Sequence, residues 1–492
     1  MTGKAEDLRR LVYPETYFSA LAPPELRLAL LSRGIRFEPR RPLRYLELGF
    51  GNGLSLNIHA AANDGEFWGN DFVRDHVDGA SAMAAISGAN TRFLIDSFAE
   101  LSRRDDLPEF DIVAAHGIWT WVSDADRDAI VSLLQRKLAP GGVFYVSYNN
   151  TAGWSSVVYL RQLMKLFLSE AGGADDKVVD AIAFARDLHE AGAAYFKENP
   201  IAAAEVKVMG RRNPTYLRQE YFLDDWKLMS IAEMEGALRP AGLRFGAQCT
   251  LLMHDDQLVI GTRGREILSS VQSPVLRETV RESFQGMGFR QDIFVKDLAP
   301  VTDDERRDCF RRMEFLMTTR PRNVVLQGKT QWGELDLGAS GCVPVIEAFA
   351  ASGFAPQSIA ALEAALPQIP IDELVARVVQ LAAVKVIKPA LSEDEQRVVR
   401  PRCDALNAQI LDLPSDRSAI LASPVLGAGI EVSELERAFL SGHRDGCRSE
   451  AALAESIESL PSALRGRSPS DLAGMFLADH LPYFCAMGLA QD

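Results

Sequence analysis

The chain has 492 residues, 47% of them hydrophobic and 24% charged, with a formal net charge of −14. That length exceeds a single core and predicts roughly two to four domains. The acidic balance argues against a general binder of nucleic acid or of anionic membranes, and six scattered cysteines without a Cys-x-x-Cys pair argue against a metal site or a disulfide framework. The N-terminus is polar, and no apolar run is long enough to span a bilayer, so the sequence predicts a cytoplasmic protein.

In chain order, Leu26, Ala29, Leu30 and Leu31 form a helical stripe after Pro24, closed by Gly34. Tyr13, Tyr17 and Phe18 precede it, either covering a ligand site or packing on the core. Tyr45, Leu46 and Leu48 read as a buried strand, followed by Gly49, Gly51 and Gly53 and by a helix over 54–63. Strand, glycine turn and helix begin a nucleotide-binding α/β unit, with helix amides pointing into the crevice. Glu47 stands just before the turn. A carboxylate there disfavours a pyrophosphate and suits a cation, such as the sulfonium and amino group of S-adenosyl-L-methionine.

A second strand over 66–70 ends in Asp71. An acidic residue about 20 positions past the glycine turn is placed to bind a ribose diol, and it can also cap the next helix. A third strand over 91–95 leads to Asp96, Ser97 and Phe98. These could meet an adenine amino group and ring, or start a helix with a core Phe; the local sequence leaves both open. A fourth strand over 110–115 runs into His116-Gly117-Ile118-Trp119-Thr120-Trp121. In an extended backbone both indoles would face one side, offering ring faces to a cation, worth about 0.5–2 kcal/mol; either ring could also fill the core. After a helix over 124–138 and the Pro140-Gly141-Gly142 stop, a fifth strand over 143–148 ends at Asn149 and Asn150, with Gly153-Trp154 beyond. These Asn side chains could hold an acceptor amine or cap a turn.

Residues 155–212 are helical in pattern and read as an insertion over the mouth of the sheet. A helix over 228–238 and strands over 243–249 and 257–261 would then complete seven strands. Further on, 324–337 is β-prone and contains Trp332, helices are predicted over 343–351, 358–366 and 371–383, and a short strand over 385–389. Helices followed by a small hairpin suggest a winged-helix-like module. Arg377 is the sole cation over 372–383, which disfavours a DNA-reading helix and favours a structural or protein-docking use. A helical block runs from about 402 to the end.

Glu47-x-Gly49-x-Gly51-x-Gly53, Asp71, Asp96 and the Leu-x-Pro-Gly-Gly turn at 138–142 resemble class I S-adenosylmethionine-dependent methyltransferases over roughly the first 260 residues. His116 to Trp121, Tyr148-Asn149 with Gly153-Trp154, and Tyr216-Leu217-Arg218-Gln219-Glu220-Tyr221 are similar to bacterial methyltransferases carrying a methyltransferase regulatory domain, a family that includes the rickettsial outer-membrane-protein lysine methyltransferases. The sequence departs from that pattern at Phe50, Asn150, Ala152 and Gln219. The resemblance implies an α/β fold: a Rossmann-like seven-stranded methyltransferase sheet with a helical insertion, then an α+β winged-helix-like middle and a mostly helical C-terminal module. The expected divisions are 1–262 with regulatory resemblance over 214–297, then 263–392 and 393–492. It implies S-adenosyl-L-methionine as cofactor, held by Glu47, Gly49, Phe50, Gly51, Gly53, Asp71, Phe72, Asp96, Ser97, Phe98, His116 and Gly117. The acceptor site would be shaped by His116, Trp119, Trp121, Tyr148 and Asn149, with His116 either taking a proton, binding the methionine end or serving the turn. The implied acceptor is a lysine of a protein substrate, such as a surface or outer-membrane protein before export, with a small-molecule acceptor or a non-catalytic scaffold as alternatives. A homodimer is left open, and neither nucleic acid nor membrane is an expected partner.

Overall fold

The structure, a computed structural model, describes residues 16–172, 177–412, 418–457 and 467–491; Tyr13 lies outside them. One seven-stranded sheet comprises β1 (Leu43–Leu48), β2 (Gly65–Asn70), β3 (Thr91–Leu94), β4 (Phe110–Ala115), β5 (Leu138–Asn149), β6 (Leu243–Gln248) and β7 (Phe289–Lys296). Their order is β3-β2-β1-β4-β5-β7-β6. The first five pair in parallel, and β7 lies antiparallel between β5 and β6. The chain reverses its winding between β1 and β4, and ligands bind open α/β sheets at such a point, beyond the strand carboxyl ends.

Both faces of the sheet are covered, as parallel strands require. One face carries Tyr45, Phe67, Ile112, Tyr145 and Ile293, packed on α1 (Pro23–Ser32), α2 (Leu54–Ala62) and α3 (Arg74–Ser87). The other carries Leu46, Val113, Phe144, Val146 and Phe294, packed on α4 (Asp124–Lys137). Between β5 and β6 the chain forms α5 (Val158–Glu170), α6 (Val178–Glu190), α7 (Pro200–Met209) and α8 (Pro214–Phe222). Leu160, Met164, Ile182, Val206 and Tyr221 give these helices a core of their own. Next, α9 (Ile231–Leu238) adds Met234 and Leu238 to the core that α4 lines.

The strand expected over 257–261 is instead a helical turn, Asp256–Val259. The Asp255 carboxylate accepts from Gln257 N and Leu258 N, and this cap selects helix over strand. The last strand to join the sheet is β7, reached through α10 (Pro274–Gln285), so the sheet extends past the boundary expected at 262.

The C-terminal half is seated on the first. A small sheet is built from β8 (Glu314–Met317), with the hairpin β9 (Gln327–Lys329) and β10 (Glu334–Asp336) set apart, and then from β11 (Gln357–Ser358) and β12 (Ile387–Ala390), which flank β8. The central strand therefore precedes helices α11 (Val343–Ala351), α12 (Ile359–Ala365) and α13 (Ile371–Ala383), rather than following them as a hairpin. Phe310, Phe315, Val378 and Leu381 share one core with Leu28, Leu30 and Tyr45. Beyond it, α14 (Glu393–Asp412) and the hairpin β13 (Ala419–Ser423) and β14 (Ala428–Val432) close over α2: Ile58, Ala61 and Ala62 pack with Val399, Cys403, Leu406 and Leu421. Asn63 Nδ2 donates to Gly427 O (2.8 Å), and Gly429 N to Tyr17 Oη (2.6 Å). No helix among the described residues is long and apolar enough to cross a membrane.

Candidate functional site

The glycine turn closes β1 against α2. Gly49, Gly51 and Gly53 have φ of 62°, 61° and 76°, a left-handed conformation that costs glycine nothing. A Cβ on Gly49 would lie 2.3 Å from Ile118 Cδ1 and one on Gly53 2.6 Å from Ala80 Cβ, whereas one on Gly51 would meet nothing within 4 Å. The turn is thus packed at its ends and open in its middle. Asp71, at the end of β2, accepts from Gly51 N (3.0 Å) and from Val73 N (2.9 Å), with His76 Nδ1 at 3.4 Å. The carboxylate therefore both braces the turn and starts the next segment.

Glu47 is 3% exposed, and its Oε2 has no hydrogen-bond partner among the described residues. Burial pushes its pKa up to about 8. An isolated buried carboxylate is costly, and a bound cation relieves that cost. With this orphaned oxygen beside an open glycine turn, the residues fit a cationic nucleoside such as S-adenosylmethionine. A pH effect follows. Because the folded pKa lies above the unfolded one, the free protein binds the extra proton and loses stability as pH rises from about 4.5 to about 8. Glu47→Gln should flatten that decline in thermal scans. Calorimetry of S-adenosylmethionine binding below pH 8, in buffers of differing ionisation enthalpy, should show release of up to one proton in the native protein and less in the variant.

The remaining cofactor candidates divide. Phe50 is buried and meets Phe93 edge to face at 5.4 Å. Its ring occupies space that a Cβ on Gly69 would take, 2.7 Å from Phe50 Cδ1, so it packs in the core. Phe72 is 39% exposed at the turn. Asp96 is held by Arg104 Nη1 at 2.9 Å, and its backbone is tied to the buried Asn70 side chain. Ser97 is the exposed N-cap of Phe98–Leu101, in a capping box with Glu100, so its hydroxyl serves the helix start. Phe98 is half-buried against the core beneath.

After β4 the chain turns rather than extends: Trp121 N donates to Ile118 O at 2.9 Å. The two indoles therefore part. Trp119 is 0% exposed and packs near Phe144, while Trp121 stays half-buried. His116 Nδ1 hydrogen-bonds Tyr145 Oη (2.8 Å), its ring lies 3.9 Å from that of Phe18, and Phe289 meets it edge-on. Burial lowers the His116 pKa to about 4, so the imidazole is neutral at physiological pH. Gly117 N donates to Ser147 Oγ (2.8 Å). Phe18, whose N donates to Ser55 Oγ on α2, brings the lead-in to the site.

Tyr148 points to the opposite face. Its hydroxyl donates to Asp292 Oδ2 (2.6 Å), and burial, with Asp292 nearby, holds the phenol well above its ordinary range. Arg290 grips Asp292 with Nε (2.9 Å) and Nη2 (3.1 Å) and reaches Gln285 with Nη1. Glu282 accepts from Asn150 Nδ2 and from Ile231 N (3.0 Å). This buried network locks α10 and β7 to the end of β5. Sequence reasoning missed it because Arg290 and Asp292 look surface-exposed. Gly153 belongs to the same junction: a Cβ there would lie 2.4 Å from backbone atoms of Met287 and Gly288. Gly153→Ala should destabilise by about 1–3 kcal/mol in denaturant unfolding.

Asn149 is buried; its N donates to Thr120 Oγ1 (2.8 Å) and its Nδ2 to Glu220 Oε1 (3.0 Å). Glu220 lies in the Tyr216–Tyr221 stretch, where the sequence alone assigned it no role. Its available signal was the alternation Tyr145, Ser147, Asn149 against Phe144, Val146, Tyr148, which places one polar row on one face of β5.

Residues 46–142 match a methyltransferase domain and residues 213–296 a predicted methyltransferase regulatory domain. An uncharacterized protein of Synechocystis is 28% identical over 439 residues, 87% of this chain and 85% of its own length. An uncharacterized protein of Rickettsia prowazekii is 25% identical over 286 residues, 56% of this chain and half of its own. Among solved structures, PKMT2 from Rickettsia typhi shares the fold with a TM-score of 0.68 at 15% identity, covering 96% of this chain and 98% of that one. The same protein in complex with AdoHcy matches at 0.68 and 16% identity, with the same coverage. The regulatory match spans β6 and β7, so that segment is structurally part of the sheet. This strand order, this glycine turn and both domain matches show that the chain carries an S-adenosylmethionine-dependent methyltransferase domain together with a segment that matches a predicted methyltransferase regulatory domain.

Proposed function

We propose that this enzyme methylates lysine side chains of a protein. Within this reading Glu47, Gly49, Gly51 and Asp71 hold the cofactor: Asp71 receives the ribose diol, and Glu47 compensates the positive charge. Bound S-adenosylmethionine supplies a methyl carbon on a sulfonium, which the acceptor nitrogen takes as the carbon–sulfur bond breaks. The chain's own part is to align the nitrogen and exclude water, and effective molarity then supplies much of the rate. A lysine has a free pKa of about 10.4 and must shed a proton first; burial among uncharged rings favours the neutral amine. The neutral His116, its ring tilted against that of Phe18, shapes that surface and is a weak base.

The observation that carries the reading is the aromatic-walled polar row beyond β4 and β5, with Phe18 and Phe289 on His116 and Ser147 and Asn149 in line behind it. Ring faces with a few polar atoms suit an alkylammonium chain. The C-terminal half, whose α14 and hairpin sit on α2, supports a large acceptor. The helical insertion has a core of its own, which also takes in Leu217, Tyr221 and Phe222. The test is incubation of the full-length protein with tritiated S-adenosylmethionine and cell extract. Label in acid-precipitable protein is expected; label confined to small molecules would favour a small-molecule N- or O-methyltransferase instead.

A further inference from the structure

On β5, Tyr145, Ser147 and Asn149 project to one face and reach two segments: His116 Nδ1 at 2.8 Å and Gly117 N at 2.8 Å after β4, and Glu220 Oε1 at 3.0 Å on α8. Tyr145 shares its core face with Tyr45, and Glu47 follows Tyr45 by two positions on β1. A polar line therefore runs from one buried carboxylate beside the glycine turn to a second carboxylate on α8. Glu220 is half-buried, and Asn149 fixes its Oε1. The cations that bear on it are engaged elsewhere. Arg212 is bound to Glu205 at 2.5 Å, and Arg161 lies 4.2 Å over the Trp226 ring and donates to Leu223 O. Beside Glu220 in sequence, Tyr221 packs on Trp154, which also meets Trp226.

We propose that Glu220 is the acceptor-recognition residue: its carboxylate, oriented by Asn149, receives the ammonium of a lysine side chain entering the polar row toward Glu47. This rests on the lysine reading given above. Asn149 is then a positioning residue, orienting the carboxylate through Oε1. Proton loss must precede methyl transfer. Burial raises the Glu220 pKa, so the carboxylate can take the ammonium proton and release it to water once the methylated amine departs.

The test uses the full-length protein, poly-L-lysine as acceptor and Glu220→Gln, which keeps an oxygen for Asn149 but removes the charge. The variant should keep its S-adenosylhomocysteine affinity and thermal midpoint. Its KM for poly-L-lysine should rise about tenfold or more, the loss of one charge-assisted hydrogen bond, and Glu220→Asp should recover part of it. Independently of turnover, n-butylamine should give a saturation-transfer NMR signal on the protein loaded with S-adenosylhomocysteine, and lose it in Glu220→Gln. An unchanged KM and an unchanged butylamine signal would overturn the role of Glu220 alone. Parallel loss of S-adenosylhomocysteine binding would overturn it too, by making Glu220 structural. If the native protein binds S-adenosylhomocysteine but labels neither poly-L-lysine nor any protein, the lysine reading falls and Glu220 falls with it.

Discussion

Asp71→Ala should weaken S-adenosylhomocysteine binding about a hundredfold in calorimetric titration. The carboxylate is asked to do two things. It accepts from Gly51 N and Val73 N, so it holds the middle of the glycine turn in place, and in the proposed function its remaining lone pairs receive a ribose diol. Hydrogen bonds to a charged group contribute about 1.5–3 kcal/mol each, and losing the pair, partly offset by water, leaves about 3 kcal/mol. Asp71→Asn keeps one acceptor oxygen and should fall between native and Ala. The thermal midpoint of the free protein separates a damaged turn from a lost contact. Native-like affinity in Asp71→Ala would remove the ribose assignment.

The second large effect is on stability. Arg290→Met should cost about 3–5 kcal/mol in denaturant unfolding, because it leaves Asp292, which is 0% exposed, as an uncompensated buried charge. Tyr148 Oη would remain its one strong donor, and the strand affected lies between β5 and β6 in the sheet. Replacing both charges, Arg290→Met with Asp292→Leu, should recover much of the loss, since a buried pair contributes little beyond its own desolvation. If Arg290→Met alone is neutral, the pair is not buried in solution as it is here.

Much of the architecture was legible because its determinants are local. The glycine turn announces itself by residue type, and five strands alternate with helices at ordinary spacing. The final strand was not. The apolar run from Leu258 to Ile260 imitates a strand, and the side chain of Asp255, a residue equally common in loops, turns it into helix. Conversely, Phe289–Lys296 carries Arg290 and Asp292, which satisfy each other two positions apart and so hide a buried strand behind a surface-like sequence.

The candidate site divides the same way. Gly49, Gly51, Asp71 and Glu47 come together because each sits at a strand end that topology makes adjacent. Trp119 and Trp121 separate because one turn bond, Trp121 N to Ile118 O, rotates the chain between them. Phe50 is explained only by Gly69, which makes room for it from the neighbouring strand. Glu220 comes to Asn149 across 71 positions of chain, a pairing no local pattern reveals.

The most direct measurement is a crystal structure of the full-length protein with S-adenosylhomocysteine. The account predicts the ribose diol on Asp71, the adenosyl group over Gly51, and the amino-acid end at Glu47, with the sulfur opening onto the row from His116 to Asn149. A ligand bound away from the glycine turn, or one leaving Glu47 Oε2 without a partner, would contradict it.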